Sequence, residues 1–309
     1  MSRFKIFDTV AGRYRIMAPP DVGGMSEVYR CKDIETGQKV ALRVLKKGAN
    51  TQRFKHAASI LKRIDHPNIL AIYDFIEKDD EIYQVEEYLD GMTLREQLDR
   101  KNNFTIVKTA DIVCRLLEGI DYLHSEGIIH QDIKPGNIFL LPGGTVKIID
   151  FGLAHDSKSE ETPWQTDLGI HGTPQYMAPE RLDGYPSFSG DRYAAGLVLY
   201  EMLTRINPFN IKDKRGALKK QKSYMPPPPS RINPIIPPEL DRVVLKALAK
   251  KPSERFSTSL EFKARLASAS QQPVNSKKVR WEVILLTALL AVFAFIVLSL
   301  IKAFYGIGH

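Results

Sequence analysis

The chain has 309 residues, 43% of them hydrophobic and 26% charged, with a formal net charge of +8. That length holds one large or two ordinary packed domains, and the basic balance comes with no recognition motif, so nucleic acid is not an expected partner. The two cysteines, Cys31 and Cys114, and the seven histidines show no metal-ligand spacing; the cysteines read as reduced core thiols of a cytosolic domain.

In chain order, residues 1–12 are mixed in character and carry Arg3 and Lys5, so no apolar signal peptide is expected there. Over residues 14–45 apolar runs separated by turn residues predict strands, notably at 28–31 and 40–45. A helix is predicted near 54–64, and further strands over 69–77 and 81–88. After Gly91 the period becomes helical: Ile112, Val113, Leu116, Leu117, Ile120 and Leu123 share one face. The prolines at 226–229 and 237–238 read as a turn between late helices, with a polyproline ligand as the other reading.

One segment carries the chemistry. His130-Gln131-Asp132-Ile133-Lys134-Pro135-Gly136-Asn137 is followed by Asp150-Phe151-Gly152 and then by Ala178-Pro179-Glu180. Two carboxylates, an amide and a lysine on neighbouring loops suit phosphoryl transfer, which is mostly positioning and charge neutralisation. The series resembles the catalytic and metal-binding loops of eukaryotic-type protein kinases, most closely the bacterial membrane-anchored serine/threonine kind. The resemblance covers about residues 12–268. It implies an α+β, bilobal kinase fold: a small β-rich lobe with one main helix (12–88) and a larger helical lobe (91–268).

The resemblance also assigns roles. Asp132 would accept the proton of a substrate hydroxyl, and Lys134 would steady the transferring phosphoryl group. Asn137 and Asp150 would hold the Mg²⁺ (or Mn²⁺) ions that bridge the phosphates of ATP. Thr173, in the segment that presents the substrate, would touch Asp132 and Lys134, which argues for serine or threonine hydroxyls. Val28, Ala41 and Phe139 would sandwich the adenine, with Glu87 and Leu89 along the hinge. Leu61, Ile72, His130 and Phe151 would stack between the lobes. Glu180 would form a buried ion pair with Arg255, and Asp191 and Gly196 are late landmarks.

The nucleotide-facing half departs from the family pattern. Of the glycine loop only Gly23 remains, with Gly24 beside it; Asp21 and Ser26 replace the outer glycines that let backbone N–H groups approach phosphates. Arg43 stands at the strand lysine, a planar fork in place of a compact ammonium. The lysine's helix glutamate falls on Ala57, and no glutamate occurs between Glu35 and Glu77. Glu86 occupies the usually apolar back of the nucleotide pocket. It either faces Arg43, giving both charges a partner, or points to solvent from a distorted small lobe. Gln131 replaces the arginine that clamps an activation-loop phosphate, so phosphorylation at Ser157, Ser159, Thr162 or Thr166 should matter less.

Residues 283–301 are almost pure hydrocarbon, interrupted only by Thr287 and Ser299. At 1.5 Å per residue they span roughly the ~30 Å core of a bilayer. Trp281 and Tyr305 flank the run; Lys277, Lys278 and Arg280 precede it and only Lys302 follows closely, which puts the long N-terminal part in the cytoplasm. The expected organisation is an N-terminal extension (1–11), the kinase-like domain (12–268), a juxtamembrane linker (269–282), one transmembrane helix (283–301) and a short outer tail (302–309). The basic run Lys212, Lys214, Arg215, Lys219, Lys220 and Lys222 is a solvated loop or a contact for anionic lipid. The reading is a single-pass protein of the inner or plasma membrane that phosphorylates proteins from ATP, weakly or with a partner's help. Protein substrates or signalling partners and membrane lipid are its expected contacts, and dimerisation stays open. A pseudokinase, binding nucleotide as a membrane-bound interaction module, is the alternative.

Overall fold

Two hydrophobic clusters organise the chain, one inside a curled sheet and one among helices. The structure is a computed structural model that describes residues 3–23, 26–46, 50–78, 81–159, 172–211 and 213–272, with isolated helical positions between Thr287 and Val297.

The sheet contains β1 (Thr9–Val10), β2 (Tyr14–Ile16), β3 (Asp21–Val22), β4 (Ser26–Asp33), β5 (Lys39–Leu45), β6 (Ile72–Lys78) and β7 (Glu81–Glu87). Their order is β1-β2-β4-β5-β7-β6, with β3 against β4, and each pairing is antiparallel. Strand alternation gives β5 two different faces. Val40, Leu42 and Val44 enter the sheet's core with Tyr29, Cys31 and Val85. Ala41, Arg43 and Leu45 occupy the opposite face, and Arg43 and Leu45 line a cavity there. Residues 3–11 belong to this lobe rather than extending from it. The Phe4 ring lies 5.5 Å from Tyr29 and 6.2 Å from Tyr83, Arg3 lies 3.2 Å from Glu81, and Val10 is in the core.

The small lobe's helix, α1 (Thr51–Leu61), starts and ends about one turn earlier than the sequence pattern suggests. Its buried face, Ala57, Ile60 and Leu61, joins the helical cluster, not the sheet's. The larger lobe holds β8 (Met92–Thr93), α2 (Leu94–Asp99), α3 (Ile106–Ser125), β9 (Ile128–Ile129), β10 (Ile138–Leu140), β11 (Val146–Ile148), β12 (His155–Asp156), α4 (Phe188–Thr204), α5 (Lys214–Ser223), α6 (Pro238–Ala247) and α7 (Ser259–Ser270). The six apolar residues predicted to share a face of α3 are all at most 1% exposed. Gly196 brings α4 against α6: a Cβ there would meet that of Ala247 at 2.8 Å.

Glu180 and Arg255 form a two-pronged pair at 2.7 and 2.8 Å, and the Arg255 side chain is wholly buried. Burial opposes the Glu180 charge, but Arg255 outweighs it and holds the carboxylate below its ordinary range. Pro226 and Pro229 are buried and the Tyr200 hydroxyl donates to the Pro227 carbonyl at 3.1 Å, so the proline cluster is packed into the lobe. Cys31 and Cys114 are free thiols that burial pushes up to about 12 and about 11. α7 runs to Ser270 with Ala269 buried, two residues past the expected domain edge.

Most of the predicted transmembrane run 283–301, the linker from 273 onward and the tail 302–309 lie outside the described residues. So do Gly24, Met25, Thr162, Thr166 and Lys212. Among the described residues no helix is long and apolar enough to cross a membrane. Leu289, Val292, Phe293, Ile296 and Val297 are helical with exposed apolar side chains.

Candidate active site

The loop after β9 is shaped from below by one carboxylate. Asp191, on the first turn of α4 and 2% exposed, accepts from the backbone N–H groups of His130 (2.8 Å) and Gln131 (2.9 Å), and lies 2.9 Å from His124 Nε2. Burial works against its charge, but these donors outweigh it and hold Asp191 below its ordinary range. The anchorage lets Gln131 take a left-handed φ of 67°, a conformation that costs a non-glycine residue energy. The turn delivers Asp132 to the surface between the lobes.

Asp132 is then surrounded by donors. Lys134 Nζ lies 2.6 Å from Oδ2 and 2.9 Å from the Thr173 hydroxyl oxygen; Thr173 donates to Oδ1 at 3.2 Å. The Asn137 amide donates to Oδ2 at 3.0 Å and to the Asp132 carbonyl at 2.9 Å. The short turn Pro135–Asn137 and the β10–β11 hairpin carry the chain from Asn137 round to Asp150, which also has a left-handed φ of 64°. Phe151 packs beneath, 1% exposed, its ring 4.8 Å from His130; Leu61 is 3% exposed and Ile72 partly buried in the same cluster.

Asp132, Lys134, Thr173 and Asp150 line a cavity of about 440 Å³ between the lobes, with Gly23, Arg43 and Glu86 on its sheet side. The donor set fits a hard cation. With its amide nitrogen committed to Asp132, Asn137 offers its oxygen, and Asp150 offers a carboxylate. Among the described residues no cluster of three or more histidines, cysteines or carboxylates could hold a metal alone. Asn137 and Asp150 could each give one oxygen to such a cation, the remainder coming from phosphates and water.

Across the cavity Arg43 does face Glu86. Nε lies 2.7 Å from Oε1 and the second prong is 3.4 Å from Oε2. Glu86 is 2% exposed, so the solvent-facing placement does not hold. Register explains the contact. Arg43 stands opposite Val28 on β4 and Gln84 on β7. Ser26 and Glu86, two residues along, are its diagonal neighbours on the same face. The Arg43 NH1 group also reaches the Ser26 hydroxyl at 3.3 Å. Three departures from the kinase pattern thus touch one another. Burial opposes the Arg43 charge, but Glu86 outweighs it and raises the guanidinium above its ordinary value.

Ala57 lines the same cavity, with Phe54 and Leu61, where a longer helix side chain would stand. The Gly23 N–H donates to the Ser26 carbonyl at 2.9 Å, and Lys46 Nζ reaches the Gly23 carbonyl at 2.5 Å. The residues expected to sandwich the adenine sit at neighbouring strand positions. Ala41 is opposite Glu86, Val28 opposite Arg43, and Phe139 opposite Thr93. None of Val28, Ala41, Phe139, Glu87 and Leu89 lines the 440 Å³ cavity, which runs toward α1 instead. Glu87 accepts from the Ala71 N–H at 2.8 Å and lies 2.6 Å from Lys147 Nζ, so its carboxylate braces the hinge on β11; Leu89 is partly buried.

A match to the protein kinase domain family covers residues 22–267. The chain belongs to the protein kinase family. The serine/threonine-protein kinase PrkC of Bacillus subtilis is 34% identical over 266 residues, 84% of this chain and 41% of that protein. Serine/threonine-protein kinase PknB of Mycobacterium leprae is 36% identical over 282 residues, 87% and 45% of the two chains. Serine/threonine-protein kinase pkn3 of Myxococcus xanthus is 33% identical over 279 residues, 85% and 51%. The chain therefore spans about two fifths to one half of the length of these curated relatives.

Four contacts of this kinase domain had no sequence signal of their own. His124 supports Asp191, and Lys147 supports Glu87. From α1, His56 Nε2 lies 3.0 Å from the Ala154 carbonyl, and just past the helix's end Arg63 lies 2.6 Å from Asp156. The helix that lacks its glutamate is thus tied to the segment following Asp150-Phe151-Gly152.

Proposed function

We propose that the protein is a membrane-anchored serine/threonine kinase that transfers the γ-phosphoryl group of ATP to protein hydroxyls, weakly or with a partner's help. One observation carries this reading: Asp132, Lys134, Thr173 and Asn137 form a single hydrogen-bonded group beside Asp150. Asp132 takes the substrate hydroxyl's proton on a carboxylate kept in place by three side chains. Lys134 sets positive charge within reach of the transferring group, and Thr173 keeps both aimed. Mg²⁺ or Mn²⁺, held by Asn137 and Asp150, would neutralise the ATP phosphates. Arg43, braced by Glu86, presents fixed positive charge on the sheet side. The three relatives carry the name serine/threonine-protein kinase, which favours these hydroxyls over tyrosine.

A second reading has its own support. Each prong of Arg43 is engaged, by Glu86 or by Ser26, so phosphate contact would mean giving up a partner. A nucleotide-binding interaction module with little turnover fits that arrangement. Transfer of labelled phosphate from Mg-ATP to a generic protein by the full chain, beside an Asp132→Asn control, separates the two. A kinase gives serine or threonine phosphate that the control loses. An interaction module gives the same background with both.

Anchoring rests on the apolar run at 283–301 and on the exposed apolar side chains at its helical positions. The basic residues before it orient the kinase domain to the cytoplasm of the inner or plasma membrane.

A further inference from the structure

α6 and α7 pack side by side and leave a groove of about 350 Å³. Its floor is apolar: Val243, Phe256 and Ala269 are 7%, 2% and 5% exposed. Its rim carries Arg242, Lys246 and Arg265 against the carboxylate of Glu239, three cations to one anion and so an excess of two. Glu239 is committed to Arg242 at 2.5 Å, and Glu261, just outside, to Lys246 at 2.8 Å. Lys246 also holds its ammonium 4.4 Å over the Phe256 ring. Arg265 is exposed and makes no ion pair among the described residues. We propose that this groove binds the headgroup of an anionic phospholipid and seats the base of the larger lobe on the bilayer.

The chemistry selects such a ligand. An unpaired guanidinium offers a planar fork that matches phosphate oxygens. An apolar floor beside it suits the glycerol and first methylenes of a lipid better than a free ion. Position points the same way, and here the proposal rests on the membrane-anchored reading. Gln272, which lines the groove, is followed by ten residues before the apolar run begins at Val283. Eleven peptide steps reach at most ~40 Å, about twice the ~18 Å radius of gyration of a domain this size. Lys277, Lys278 and Arg280 lie on that path. Attraction to an anionic leaflet fades within a Debye length of ~8 Å, so it acts on groups that reach the surface. The basic helix α5 is the weaker candidate. Its Lys220 is committed to the Pro208 carbonyl at 2.8 Å and sits 4.4 Å over the Tyr224 ring.

The test is amide hydrogen exchange of the full chain in nanodiscs of phosphatidylcholine, with and without phosphatidylglycerol. Exchange in the second half of α6 and in α7 should slow severalfold only with phosphatidylglycerol. Arg265→Glu, or the milder Arg265→Gln, should abolish that protection, while Lys219→Glu on α5 leaves it intact. Unchanged thermal midpoints of the variants establish that they fold. Equal protection in both lipids, protection that survives both Arg265 variants, or equal protection by inorganic phosphate without phosphatidylglycerol would each overturn the proposal. Should alkaline carbonate release the full chain, the anchored reading fails by itself. The groove is then tested on that same chain by co-sedimentation with phosphatidylglycerol vesicles, and loss of binding in Arg265→Glu upholds it.

Discussion

Replacing Arg43 by methionine strands a carboxylate that is 2% exposed and had a guanidinium 2.7 Å away. Breaking a buried pair from one side costs about 3–5 kcal/mol. Arg43→Met should therefore cost about 3–5 kcal/mol. Glu86→Met strands Arg43 instead, but that side chain is 25% exposed and water reaches it, so the loss should be nearer 1–3 kcal/mol. The double variant leaves neither charge and should fall short of the sum by about 2 kcal/mol. The assay is denaturant unfolding of residues 1–276 at pH 7. Additivity within about 0.5 kcal/mol would refute the pairing.

Other outcomes test other parts of the molecule. Nucleotide should raise the thermal midpoint with Mg²⁺ or Mn²⁺ and hardly at all in EDTA, and Asp150→Asn should remove the difference; equal shifts with and without metal would rule out the Asn137–Asp150 site. Arg255→Met should destabilise by about 3–5 kcal/mol, since it leaves Glu180 half-buried without its fork, and Arg255→Lys should recover only part because an ammonium cannot bridge both oxygens. Losses below about 1 kcal/mol in unfolding experiments would make the pair a surface-like one. The full chain should resist alkaline carbonate extraction from membranes while a protein ending at Ser276 stays soluble; a soluble full chain would remove the span.

What the sequence made legible follows from how local each signal is. The buried face of α3 repeats within one helix, so periodicity alone identified it. The contacts among Asp132, Lys134 and Thr173 and the Glu180–Arg255 pair rest on motifs whose spacing reflects a common fold. The partner of Arg43 was half legible: no glutamate lies between Glu35 and Glu77 and Glu86 stands at a usually apolar position, but only the structure decides between an ion pair and a solvent-facing Glu86. Ser26 was harder. Its motif position marks a missing glycine, and only the β4–β5 register reveals it as a diagonal neighbour of Arg43. His124, Lys147, His56 and Arg63 were not legible, since each acts on a group 60 or more residues away. The packing of Phe4 on Tyr29 and Tyr83 was hidden in the same way: nothing in a short mixed segment specifies which face of a sheet it will cover.

The claim that the in-sheet Arg43–Glu86 pair stands in for the family's lysine and helix glutamate meets its most direct test in single-turnover phosphotransfer. The native chain would be compared with Arg43→Lys/Ala57→Glu, and with that pair plus Glu86→Met. With Glu86 still in place, the restored lysine has two competing acids, so the repair alone should change the rate little. Removing the Glu86 carboxylate as well should raise it. A sharp rise from the two-residue repair alone would contradict the substitution and mark the native chain as a decayed kinase.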